Sequence, residues 1–337
     1  MKKLNDWRAF FESRGIAPHL VESHLGQIKL LLDNNAPVVL ELEHLSLLVG
    51  IKYEYLLKMI SGSGSFYRTF SIKKRSGGSR TIEAPYPSLL SCQDWIYRNI
   101  LLAQPVHECA HGYVPERSIF SNAKAHLNTR ALLKIDLKDF FPSIGIGWAV
   151  NFFSDLGYSK NISYSLAALC CNNGRLVQGA PTSPYLTNIL LQGLDERLNQ
   201  LSLRHRLKYT RYADDLTFSG AYISINFAKV VGAIVSDYGL SVNESKTRLL
   251  IDKNKKVVTG LSVSGTNLRI TRELRRSIKQ DVHYIGRYGL RSHISAMRIK
   301  DPFYINSIIG KVDFWLQAEP ENKEAQECKN ILRSQRE

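Results

Sequence analysis

The chain's 337 residues suffice for a large core divided into two or three subdomains, and its 44% hydrophobic and 22% charged content excludes a disordered or low-complexity polypeptide. Its 45 Lys and Arg against 30 Asp and Glu leave a net charge of +15, which points to nucleic acid or an anionic membrane surface as partner. No apolar run reaches the ~18 residues of a membrane-spanning helix, the opening Met1-Lys2-Lys3-Leu4 does not read as a secretion leader, and 5 scattered Cys fit a reduced, cytosolic protein.

From Asp6 to about Ile60 the apolar spacing is helical, with Trp7, Phe10 and Phe11 on one face, Leu20, Leu25, Ile28, Leu31 and Leu32 likewise on one face, and Pro18 placed to open the second of these helices. Phe66 to Lys74 reads as a strand, Gly77-Gly78 as its turn and Arg80 to Ala84 as the return strand. This hairpin carries Arg68, Lys73, Lys74, Arg75 and Arg80, which suits contact with phosphate; charged residues also protect a solvated edge strand. A helix from Pro87 to Leu102 follows. His107 and His111 lack the second ligand pair of a structural zinc site and read as packing.

Ala131 to Ile135 reads as a buried strand that ends on Asp136. A carboxylate there is costly unless it is paired, caps a helix or binds metal. Asp139, further into the turn, is the alternative. Trp148 to Cys171 reads as two helices broken near Gly157, and the Leu176 to Pro184 loop leads into a helix from Tyr185 to about Gln200. Tyr209-Thr210-Arg211-Tyr212 and Leu216-Thr217-Phe218 read as two short strands, with Ala213-Asp214-Asp215 as the tight turn. Adjacent carboxylates repel, and a cation between them relieves the repulsion. Hard divalent cations take oxygen ligands, commonly carboxylates together with substrate phosphate. A polar hairpin tip is the plainer alternative.

Ser224 to Tyr238 reads as an amphipathic helix with Ser224 or Asn226 as cap, and Lys256 to Leu261 as a strand. Between Leu268 and Lys300, nine basic side chains face Glu273 and Asp281 alone. Arg272, Arg275, Arg276 and Lys279 recur at helical spacing and form a cationic stripe suited to a phosphate backbone, with Tyr284 and Tyr288 interleaved. Phe303 to Leu316 reads as another amphipathic helix, and the tail from Glu319 as polar and frayed.

Four blocks in this order resemble a reverse transcriptase: Ile135-Asp136-Leu137 with Phe140-Phe141-Pro142-Ser143, Gln178-Gly179-Ala180-Pro181-Thr182-Ser183-Pro184, Tyr212-Ala213-Asp214-Asp215, and Asn243 with Lys246-Thr247. Asn122-Ala123-Lys124-Ala125-His126 and Val258-Thr259-Gly260 resemble blocks of the bacterial retron class in particular. The resemblance covers about Phe66 to Leu261. It implies an α+β right-hand polymerase fold: N-terminal helices and fingers over 1–128, a palm with antiparallel sheet over 129–262 with an inserted fingers segment at 145–180, and a basic helical thumb over 263–337.

The resemblance further implies an RNA-directed DNA polymerase of the bacterial cytoplasm that uses two Mg²⁺ ions. Asp136 and Asp214 are the expected bridging ligands, Asp215 a supporting one, and the Leu137 carbonyl completes a shell. Phe141 is the expected sugar gate, and Gln178, Arg80 and Lys74 the contacts to the incoming dNTP. Tyr212 meets the primer end. Lys246 either protonates the departing pyrophosphate with a pKa lowered by burial or pairs with phosphate. Asn122, His126, Val258, Thr259 and Gly260 are expected to serve the class-specific RNA, with Arg272, Arg275, Arg276 and Lys279. Retron enzymes recognise a structured noncoding RNA and prime from an internal guanosine 2′-hydroxyl, giving a branched RNA–DNA product, often beside an effector protein in antiphage defence. The alternatives are an abortive-infection or diversity-generating reverse transcriptase, or a non-catalytic RNA-binding protein on the same fold.

Overall fold

The computed structural model describes residues 2–62, 66–73, 77–252 and 254–335. In chain order, helices α1 (Lys2–Ser13), α2 (Pro18–Asp33), α3 (Leu42–Val49) and α4 (Tyr53–Ser61) precede strands β1 (Tyr67–Lys73) and β2 (Ser79–Pro85) and helices α5 (Pro87–Asn99) and α6 (Ile119–Lys124). Strand β3 (Ala131–Asp136) is followed by α7 (Ile146–Asp155), α8 (Lys160–Cys170), α9 (Thr182–Leu190) and α10 (Gln192–Arg204). Strands β4 (Lys208–Tyr212) and β5 (Asp215–Gly220), α11 (Phe227–Asp237) and β6 (Arg248–Ile251) come next. The chain ends with β7 (Val257–Val258), β8 (Leu261–Ser262), β9 (Arg269–Ile270), α12 (Arg272–Tyr288), α13 (Leu290–Ala296), α14 (Tyr304–Ala318) and α15 (Lys323–Ser334). The architecture is α+β, with every strand pair antiparallel.

Two compact units divide the chain. The first comprises Met1–Val114, Leu137–Leu198 and Val231–Asn243; the second comprises Pro115–Asp136, Asn199–Val230 and Glu244–Glu337. In the first, Pro18 sits in the opening turn of α2, where its missing N–H leaves no bond unmade, and Val21, Leu25, Ile28 and Leu31 form the buried stripe. Gly179 has a φ of +127°, and a Cβ there would lie 2.7 Å from the Glu83 carbonyl oxygen, so only glycine lets this loop approach β2. The neighbouring Gln178 carbonyl accepts from the Glu83 backbone N–H at 2.9 Å.

The second unit is built on a four-stranded sheet in the order β4-β5-β3-β6. Leu132, Leu133 and Ile135 of β3 and Leu216 and Phe218 of β5 are buried. Tyr209 stacks on Phe218 at 4.9 Å between ring centroids. Behind the sheet, one apolar cluster joins Leu132 to Val258, Leu261, Ile278, Val312 and Trp315. This unit also contains the small sheet β7-β8-β9 and helices α12 to α15.

Three expectations change. The helix from Tyr185 to Gln200 is two helices parted at Leu191, the first starting at Thr182 with Pro184 inside its opening turn, where proline is tolerated. Lys256 to Leu261 is not one strand, because Thr259 and Gly260 take positive φ and turn the chain between β7 and β8. The tail is not frayed: Ala325, Cys328 and Leu332 recur at helical spacing, are buried, and dock α15.

Candidate active site

Strand β3 pairs antiparallel with β5 so that Asp136, its last residue, lies directly opposite Asp215. Cross-strand partners point to the same face, with Cβ atoms typically ~5 Å apart. The β4–β5 hairpin closes on the Tyr212–Asp215 pair, so its two turn residues are Ala213 and Asp214. Ala213 carries the positive φ, +56°, that such a tight turn demands. Asp215 is thus a strand residue, and Asp214 alone projects from the tip. The fully buried Arg211 donates to the Ala213 carbonyl at 3.4 Å, which fastens the turn from below.

Burial pushes the Asp214 carboxyl up to about 6, and the nearby Asp215 and Asp136 charges push the same way. Asp215 is also raised, first by burial; Lys134 opposes this and Asp136 reinforces it. Lys134 stands two residues before Asp136 and therefore on the same face of β3. Its part in the cluster escaped the sequence reading, although the period of two from Asp136 pointed to it. Lys246, in the short turn Glu244–Lys246, places its Nζ 2.9 Å from both oxygens of Asp136.

The expectation of a buried Lys246 with a lowered pKa is corrected. The side chain is 56% exposed, and its hydrogen bond to Asp136 holds its pKa above the ordinary lysine value. Lys246 is therefore a persistent cation at neutral pH. Asp139 is exposed in the turn after β3, and its backbone carbonyl accepts from Ser143, so it does not replace Asp136 at the strand end.

Among the described residues no group of three or more His, Cys, Asp or Glu side chains is placed so that it could hold a metal ion as it stands. The donor chemistry nevertheless suits a hard divalent cation: Asp136 and Asp215 lie opposite each other beside the Asp214 turn, burial and neighbouring carboxylate charge raise the pKa of Asp214 and Asp215, and a bound cation would oppose both effects.

The remaining expected contacts fall into two groups. Arg80, Leu137, Phe141 and Gln178 belong to the first unit. Phe141 is buried against Phe140, their rings 5.2 Å apart and edge to face. Arg80 is exposed on β2, three residues from the Glu83 that Gln178 holds. Lys74 lies outside the described residues. Tyr212, in the second unit, closes the Asp hairpin.

The class-specific residues are placed differently from the expectation of direct RNA contact. Asn122, His126 and Val258 are buried. The His126 ring nitrogens lie 2.7 Å from Ser219 Oγ and 2.7 Å from Thr210 Oγ1, so this histidine fastens the segment after α6 onto β4 and β5. The Thr259 hydroxyl donates to the Ile119 carbonyl of α6 at 2.8 Å. The two blocks, far apart in sequence, meet as one support behind the sheet. Only Gly260 is exposed.

The cationic stripe is corrected too. Arg275 is not open to a ligand: its Nη2 donates to both Glu319 oxygens, at 3.1 and 3.0 Å, and its guanidinium lies over the Trp315 ring. Lys279 pairs with Glu324 at 2.7 Å. Arg272 and Arg276 remain exposed without an ion-pair partner among the described residues. The sequence showed the charges but not the acids of α14, α15 and their linker that fold back onto them.

The reverse transcriptase (RNA-dependent DNA polymerase) family matches residues 72–287. The retron Ec86 reverse transcriptase of Escherichia coli is 35% identical over 257 residues, 74% of this chain and 79% of that protein. The retron Mx65 reverse transcriptase of Myxococcus xanthus is 36% identical over 259 residues, 71% of this chain and 60% of that protein. Among solved structures, telomerase from Candida albicans in complex with a fragment of telomeric RNA aligns with a TM-score of 0.46 at 12% identity, covering 80% of this chain and 63% of that one. With the family matched over most of its length and retron enzymes related above 30% identity, the chain belongs to the reverse transcriptases and is an RNA-directed DNA polymerase of the retron type.

Proposed function

We propose that this polymerase copies part of a structured noncoding RNA into branched multicopy single-stranded DNA. Synthesis starts from the 2′-hydroxyl of an internal guanosine, in the bacterial cytoplasm, within an antiphage system that includes an effector protein. The observation that carries the catalytic half is the pairing of Asp136 with Asp215 beneath the Asp214 turn. The retron half rests on the relatives and on the Asn122–His126 and Val258–Gly260 blocks that meet behind the sheet.

Phosphoryl transfer needs positioning and charge neutralisation more than covalent help from the protein. The primer hydroxyl attacks the α-phosphorus of a dNTP in line with the departing pyrophosphate. Asp136 and Asp214 would hold the two Mg²⁺ ions, with Asp215 in support and the Leu137 carbonyl as a further oxygen ligand. When bound, the ions neutralise the attacking and leaving oxygens. Lys246, held protonated beside Asp136, faces the pyrophosphate as a salt-bridge partner or proton donor. The Phe141 ring excludes a 2′-hydroxyl from the incoming sugar. Arg80, with Lys74, grips the triphosphate; Gln178 positions the base pair; Tyr212 seats the primer end.

In this assignment the fingers lie within 1–128, the palm within 129–262 with its insertion at 145–180, and the thumb within 263–337. The exposed Arg272 and Arg276 of α12 contact RNA phosphates. Tyr284 and Tyr288, exposed and stacked with centroids 6.2 Å apart, offer flat faces to unpaired bases. Sequencing the nucleic acid that copurifies from the native host tests the assignment. A defined RNA–DNA hybrid with a 2′–5′ branch is expected; unbranched DNA of random sequence would overturn it.

A further inference from the structure

The end of β3 opposite the carboxylates opens into a cavity of about 300 Å³ that the polymerase mechanism does not use. Asn128, Thr129, Arg130, Arg206, Lys208 and Gly220 are among the residues that line it, and all belong to the second unit. Arg130, Arg206 and Lys208 are exposed, and none has an ion-pair partner among the described residues. No acidic side chain lines the cavity. Asp252 reaches this rim through its backbone N–H, which donates to the Arg130 carbonyl at 2.9 Å.

The backbone that carries these charges is fixed. The Thr129 hydroxyl lies 2.9 Å from both the Ala131 and Gly220 carbonyls. The Asn128 backbone N–H bonds the Val263 and Gly265 carbonyls at 3.1 and 3.0 Å. A Cβ on Gly220 would lie 3.3 Å from the Arg206 carbonyl oxygen, so the Arg206–Lys208 segment packs closely against the end of β5. Lys208 pairs in register with Ser219, and His126 bonds Ser219 from beneath. The buried class-specific histidine thus braces the floor of a basic cleft.

We propose that this cleft binds the sugar–phosphate backbone of the structured RNA at a point outside the template–primer, a reading that rests on the polymerase assignment. Three like charges on a rigid frame with no acid between them are stabilised by an anion, and a chain of phosphodiesters supplies several at once. Five residue steps of strand separate Ala131 from Asp136, roughly 17 Å, so a phosphate in the cleft is not the one under attack. A cavity of this size admits a sugar–phosphate unit but not a helix, so a stem lies across its mouth. The Asn128 amide, exposed at the rim, is placed to bond a ribose hydroxyl. The cleft holds the uncopied RNA while the copied strand moves past the carboxylates.

The test uses the full chain and a fluorescein-labelled hairpin RNA with a single-stranded 3′ arm, without dNTPs, in a KCl series from about 50 to 200 mM. In the combined variant Arg130→Gln, Arg206→Gln, Lys208→Gln, the salt slope of log affinity is expected to shrink by about 2, with a loss on the order of 10–100-fold near 0.1 M. The charge-conserving pair Arg130→Lys, Arg206→Lys is expected to keep the slope, and melting curves establish that each variant folds. An unchanged slope in the combined variant overturns the proposal. So does an equal loss of slope in the charge-conserving pair, since charge would then not be what is read. Extension of a primed RNA template by the wild-type chain is measured separately: its failure would sink the polymerase assignment and leave the binding result intact.

Discussion

The two ends of strand β3 carry opposite charge, and the contrast shows how one strand serves two tasks. At one end Asp136, Asp214 and Asp215 crowd together partly out of water, and burial with mutual repulsion raises the latter two. At the other, Arg130, Arg206 and Lys208 stand in solvent around a cavity. Between them Leu132, Leu133 and Ile135 are buried and keep the spacing. The acidic end is costly on its own, a cost that a bound cation would lower; the basic end stays hydrated and would gain from an anion only when one is presented. Strongly desolvated charge suits chemistry, and solvated charge suits reversible docking.

Breaking the acidic end should have the largest effect. Asp136→Asn or Asp214→Asn is expected to lower dNTP incorporation by about 10³-fold or more in a primer-extension assay, comparable to removing a principal electrostatic group from an active site. Binding of the hairpin RNA should change little; synthesis at the normal rate would detach the carboxylates from catalysis. Lys246→Gln removes the permanent cation beside Asp136 and should slow incorporation by about 10²-fold, read in single-turnover extension with the fold intact by melting. A rate within the error of wild type would reduce that lysine to a surface ion pair.

The middle of the contrast is sharpened by His126→Ala. It leaves Ser219 and Thr210 without their buried partner and should cost about 1–3 kcal/mol in chemical denaturation. A weaker salt slope for RNA is expected alongside, because the cleft floor loosens. Unchanged stability would show that the two contacts contribute nothing net. On α12, Arg275→Ala should destabilise by about 1–2 kcal/mol, since it removes the charged partner of Glu319 and leaves that carboxylate only the Ile270 N–H and the Asn322 amide as donors among the described residues. Arg276→Ala should leave stability within about 0.5 kcal/mol and lower the RNA salt slope by about 1. The reverse pattern would exchange the structural and binding roles of these two neighbours.

Much of this was legible in the sequence where local signals agree with the final environment. The apolar run before Asp136 ends on the carboxylate in β3, and Pro18 opens α2. What stayed hidden depends on partners distant in the chain. Lys246 looked buried by its motif, but only the fold shows Asp136 claiming it at the surface. Arg275 looked like its neighbours on a stripe until Glu319 and Trp315 folded under it. His126 and Thr259 belong to blocks whose common task, tying α6 to the sheets, involves pairings across up to 140 residues. The cleft had no motif at all, because its three cations come from two separate segments.

The most direct measurement is Mn²⁺ binding, followed by electron paramagnetic resonance, to the full chain with a primed RNA template and a non-hydrolysable dNTP. The carboxylate cluster predicts two ions per chain in the wild type, and weakened binding of both in Asp136→Asn. Equal stoichiometry and affinity in the two proteins would contradict the assignment of Asp136, Asp214 and Asp215 as the catalytic centre.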